Sequence, residues 1–202
     1  MDAVGAFSLV SGSADSAMLV TPPVGNYTAQ VSGVNGTTGI ALAEIYDADS
    51  AAPPARLVNI SARAYVGTGG NILIGGFAIG GNTSETILIR GVGPGLASTF
   101  NLPGTLASTQ LTLYDSVVPT NPRIIATNTG WGSDPVLGPS TVQAGIIPAT
   151  AAVMTTVGAF SLAAGSADSA LILTLPPGNY TVQVAGDGGT TGIALVEIYE
   201  VY

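Results

Sequence analysis

The side chains able to do chemistry in this chain are few. It has no His, no Cys and no Lys, and four Arg (Arg56, Arg63, Arg90, Arg123) stand against twelve Asp and Glu. Without imidazole or thiol there is no base or nucleophile for a Ser-His-Asp or Cys-His system, and no ordinary zinc or haem ligand. Carboxylates remain. A pair could act as acid and base on a glycoside, but Asp15, Asp115, Asp134 and Asp168 stand in turn contexts, where a short carboxylate caps backbone amides. Calcium takes oxygen ligands from loops, and Asp47, Asp49 and Asp134 are the candidates for it, without the spaced series of an EF-hand. The glycine-rich run 91–95 lacks the Lys and Ser/Thr of a phosphate loop and reads as a turn. No enzyme activity and no cofactor other than calcium is expected.

The scarce charges point to a structural job. Glu44 and Glu197 sit in the apolar segments LAEIY and LVEIY, and Arg63 and Arg90 in equally apolar ones. A charge in such a strand is tolerated mainly when paired. Glu197 is therefore expected to meet Arg63 or Arg90, whereas Glu44 has no cation in its own stretch and needs one from elsewhere.

The elements that position these residues come from a duplication. Residues 4–46 and 157–199 align without a gap at an offset of 157 − 4 = 153, and the match extends over 1–49 and 154–202 with 32 of 49 positions identical. Both copies must be built for the same local structure. Segments 6–10, 17–21, 27–32 and 40–46 carry β-branched, aromatic and aliphatic residues between Gly, Pro, Asn and Asp, and read as strands. Four such strands with one apolar face cannot stand alone. The stretch DADSAAPPA at 47–55 reads as a linker. Beyond it, 56–61, 63–66, 72–79, 86–90, 110–114 and 123–127 read as strands. Segments 140–144 and 149–155 read as short helices separated at Pro148. The chain thus divides into the back half of one repeat unit (1–49), a linker (50–55) and a complete unit (56–202), whose front half is 56–153 and back half 154–202. The residue types predict an all-β fold, a β-sandwich of jelly-roll kind with short helical turns.

Composition narrows the function. A net charge of −8 gives no basic patch for nucleic acid or an anionic membrane. No apolar run approaches the roughly 18 to 20 residues of a membrane helix. Charged residues are 8% of the chain, against about a quarter in soluble proteins at large, which favours an extracellular or cell-surface location. Met154 occupies the place of Met1 in the second copy, so Met1 need not be an initiator. Tyr27 and Tyr180 share one strand position and read as corner or core tyrosines. The alternative is sugar stacking, by Trp131 with Tyr114 or by the Tyr27 and Tyr180 pair.

The motifs RLVNISAR (56–63), VGTG (66–69), LIGGF (73–77), LIRGVGP (88–94) and LPPGNYTVQV (175–184), with the ending IALVEIYE (193–200), resemble a tandem repeat of large secreted bacterial surface proteins. That resemblance implies export and a β-rich repeat. Two back halves to one front half leave apolar surface without an internal cover. The expected function is a structural extracellular protein, a subunit or segment of a surface fibre or array. The alternative is a carbohydrate-binding adhesion module. The chain itself is the expected partner, with polysaccharide second, and the assembly residues are Ala6, Phe7 and Leu9 of the first segment and Ile193, Leu195, Ile198 and Tyr199 of the last.

Overall fold

In the computed structural model the chain falls into two units, Met1–Leu57 and Val58–Tyr202. The described residues are 6–48, 57–116, 120–142 and 144–202. The larger unit is all-β, with ten strands among the described residues in two antiparallel five-stranded sheets. One sheet runs β1 (Asn59–Val66), β10 (Gly192–Glu200), β3 (Glu85–Val92), β8 (Ser169–Leu175), β7 (Gly145–Ile147). The other runs β2 (Leu73–Ile79), β9 (Gly178–Gly186), β4 (Thr109–Asp115), β5 (Arg123–Asn128), β6 (Val136–Leu137).

Alternation of side chains along β3 decides where its continuous apolar run goes. Ile87 and Ile89 join a core shared with Leu171 and Leu173 of their own sheet and Leu111, Leu113, Val182 and Val184 of the other. Leu88 and Val92 face the opposite way, into a second cluster with Leu96 of helix α1 (Pro94–Phe100), Met154 of helix α2 (Ala151–Thr156), Ile172 and Tyr199. Both faces of β3 and β8 are thus covered, which is why their centres, 87–89 and 170–173, read as apolar runs. Helix α2 begins where the Thr150 hydroxyl accepts the Val153 amide. The helix expected at 140–144 is absent among its described residues. There the Gly138 and Ser140 amides donate to the carbonyls of Ile125 and Ile124, and the chain continues into β7. Edge pairing to β5 outweighs the weak helical preference of these residues.

Sheet order carries the main architectural fact. β8, β9 and β10 all come from the back half, and none of them pairs with another. Each lies between two front-half strands: β10 between β1 and β3, β8 between β3 and β7, β9 between β2 and β4. The back half is therefore not a sheet but three separate inserts, whose backbone hydrogen bonds go to the front half.

In the smaller unit, residues 6–48 contain no strand, only turns and a 3-10 turn at Val34–Gly36. The four strands expected there at 6–10, 17–21, 27–32 and 40–46 are not formed. Interleaving explains this, because a back-half segment holds no strand that could pair with its neighbours in sequence. Segment 6–10 would not be a strand in any case, since its counterpart 159–163 is a loop in the larger unit. Asp49 and the linker at 50–55 lie outside the described residues.

Candidate functional site

Arg90, in the middle of β3, has no exposed surface. Its Nη2 lies 2.9 Å from Oε2 of Glu197, directly across the β3–β10 ladder. Its Nη1 donates to the Phe160 carbonyl at 2.6 Å, and its guanidinium carbon sits 4.3 Å from the Phe160 ring centre. Tyr199 Oη donates to Glu197 Oε1 at 2.8 Å. Nη2 and Oε2 meet as an ion pair without hydrogen-bond alignment, and Arg90 Nε has no acceptor among the described residues. Of the two cations considered for Glu197, the geometry selects Arg90; Arg63 lies opposite Leu195 and is exposed.

Burial pushes the Glu197 carboxyl up, against the charge of Arg90 and the Tyr199 hydrogen bond, which pull it down. Burial and then the Glu197 charge push the Tyr199 phenol up. The folded protein thus holds the Glu197 proton to higher pH than the unfolded chain. The stability this contributes is complete below the ordinary value of 4.5 and is lost as pH rises through the raised one. Urea unfolding followed upward from pH 4.5 should show that decline, and Glu197→Gln should flatten it. Parallel profiles for the two proteins would overturn the assignment.

The second polar centre is Asp168, fully buried. Its Oδ1 accepts the amides of Gly93 and Gly95 at 2.8 and 3.0 Å, its Oδ2 accepts the Ser166 hydroxyl at 2.7 Å, and its carbonyl accepts the Trp131 amide at 2.7 Å. A Cβ on Gly95 would stand 2.8 Å from Val92 and 2.9 Å from Leu162, so a larger residue there would have to displace these buried side chains to keep its amide at the carboxylate. Asp168 thus caps these amides from a fully buried position. Asp115 accepts the Ser140 hydroxyl. A concavity is lined by Ile125, Leu137, Ser140, Val142 and Ile146, and no carboxylate lines it among the described residues. Trp131 spends its indole N–H on the Ala163 carbonyl at 2.8 Å.

Of the calcium candidates, Asp47 and Asp134 are exposed, in different units. Among the described residues no three acidic side chains gather as a metal group would require. No helix among the described residues is long and apolar enough to cross a membrane. Of the assembly residues, Ile193, Leu195, Ile198 and Tyr199 lie in β10, which is paired on both sides, so the last strand is no free edge donor. Ala6, Phe7 and Leu9 lie in irregular chain, and their counterparts Ala159, Phe160 and Leu162 form the loop that meets Arg90.

The smaller unit reproduces the local geometry of its counterpart bond by bond. Tyr27 Oη donates to the Pro23 carbonyl at 2.7 Å, as Tyr180 Oη does to Pro176 at 2.7 Å. Ser13 donates to Asp15 at 2.7 Å, as Ser166 does to Asp168 at 2.7 Å. Tyr46 donates to Glu44 at 3.0 Å, as Tyr199 does to Glu197 at 2.8 Å. The 3-10 turn at Val34–Gly36 matches the one at Asp187–Gly189, with Asn35 at φ 55 where Gly188 has φ 65. Left-handed backbone at that position is open to Asn as well as Gly. What differs is burial. Leu19, Ile40 and Leu42 are 85%, 93% and 70% exposed, whereas the counterpart of Leu19, Ile172, is 2% exposed.

Comparison with family models, with characterised proteins and with solved structures returns no match to this chain.

Proposed function

We propose that this chain is a structural extracellular protein, a subunit or segment of a bacterial surface fibre or array held together by strand complementation. In this reading its two sheets form a β-sandwich of jelly-roll kind, and the repeat belongs to the secreted surface proteins that its motifs resemble. The observation that carries it is the back-half segment 6–48, which has the turns and side-chain bonds of β8–β10 and none of their ladders. Its exposed Leu, Ile and Val demand cover. Backbone groups that make no ladder are a template for another chain. The low charge and the lack of His and Cys fit a scaffold better than a catalyst.

Imaging the native assembly tests this. Gold-labelled antibody against the chain, viewed by electron microscopy on producing cells, should decorate fibres, a sheath or a regular surface layer. Label confined to the cell interior, or scattered as single particles, would overturn the proposal.

A further inference from the structure

We infer that residues 6–47 dock into a front half of the β1–β7 type that is supplied from outside residues 1–202 and is empty of its own back half. This rests on the strand-complementation reading above and specifies the contact.

The offset of 153 fixes the register. Residues 17–21 would take the place of β8 between strands like β3 and β7, and residues 25–33 that of β9 between β2 and β4. Residues 39–47 would take the place of β10 between β1 and β3. Charge is complementary at two points. Glu44 arrives where Glu197 meets Arg90, with Tyr46 already bonded to it, and no described residue of the smaller unit is cationic. Asp15 arrives where Asp168 receives the amides of Gly93 and Gly95, with Ser13 already bonded to it. Phe7 brings the carbonyl and ring that Phe160 offers to the arginine. A one-residue slip of residues 39–47 against their neighbours would turn Glu44 and Tyr46 to the opposite face.

Stoichiometry then gives other copies of this chain no net gain as the source. Each copy has two back halves and one front half, so exchange between copies evicts one back half for each one it seats. A homopolymer formed this way leaves as many unseated segments as the monomers did. The evicted segment, 157–199, is also joined directly to its front half, an advantage in effective concentration that an incoming segment lacks. It fits better too, because Val182 and Val196, both buried, correspond to Ala29 and Ala43. Val196 packs beside Gly75. The front half that suits residues 6–47 has larger side chains at the positions facing Ala29 and Ala43.

The fixed offset provides the test. Placing a second copy of residues 56–153 directly before Met1 of the full chain recreates the junction between residues 153 and 154. Amide hydrogen exchange then compares 17–46 with 170–199 in one molecule. Expected is a rise in protection of 17–46 from near the unprotected rate to within about a hundredfold of the counterparts, as cooperative ladders give. Since the chain has no cysteine, Glu44→Cys with Ser61→Cys in the added half should cross-link, as Ser61 and Glu197 are register partners. Amides 17–46 that exchange as fast as in the 202-residue chain overturn the inference. So does cross-linking of Glu44→Cys to Ser61→Cys within the unextended chain, which would show that the filled front half accepts the segment. Labelled surface fibres without protection would sink the docking and leave a fibre held by other contacts, and protection without fibres would sink the fibre reading alone.

Discussion

Arg90→Met should lower the stability of the larger unit by about 3–5 kcal/mol at neutral pH, the range for breaking a buried ion pair from one side. The variant removes the cation beside Glu197, the donor to the Phe160 carbonyl and the group stacked on the Phe160 ring together. The carboxylate then stays buried with Tyr199 as its remaining bonded side chain. The loss should shrink in mild acid, because a carboxyl already pushed up by burial takes its proton more readily once the arginine is gone. Adding Glu197→Gln should restore most of the stability, since the amide oxygen still accepts from Tyr199 and no charge is left buried. In thermal unfolding the single variant should melt on the order of 10 °C lower. A single variant that melts like the parent, or a double variant no better than the single, would show that the pair does not act as a unit.

Asp168→Ala should cost a similar amount, roughly 3–5 kcal/mol, because hydrogen bonds to a charged acceptor contribute about 1.5–3 kcal/mol each and two buried amides lose theirs. The orphaned groups are the amides of Gly93 and Gly95, at the entry to α1. Their hydrogen exchange should quicken before that of the central strands. Asp168→Asn should be milder, since its remaining oxygen can still receive both amides while its NH2 turns to the Ser166 hydroxyl. The internal control is Asp15→Ala. It removes the same residue from the same sequence context, yet the site is exposed and the change should stay within about 0.5 kcal/mol. Equal losses from Asp15→Ala and Asp168→Ala would contradict the difference in burial that separates the two copies.

Much of this was legible before any coordinates. The separators between apolar runs mark the ends of β8, β9 and β10, because Pro, Gly and Asn impose turns through local sterics. The Glu in LVEIY announces a buried charge in want of a cation. The aligned tyrosines mark one strand position, and both donate to the carbonyl four residues earlier. Other features were not legible. Nothing in the β3 sequence shows that Arg90, and not Arg63, faces Glu197; the register between β3, β10 and β1 decides it. Phe160 as acceptor and ring partner of Arg90 is equally silent, since a backbone carbonyl has no sequence signature. The helix expected at 140–144 failed because the amides of Gly138 and Ser140 found partners on β5, a contact no local propensity contains.

Two nearly identical segments separate local from tertiary determination within one polypeptide. Sequence alone set the turns, the left-handed positions and the short-range hydroxyl bonds, which recur in both copies because they involve residues only a few positions apart. Tertiary structure alone decided whether those residues became strands and whether their apolar side chains were hidden. A β-ladder draws half its hydrogen bonds from another segment, and for the back half every such segment lies in the front half.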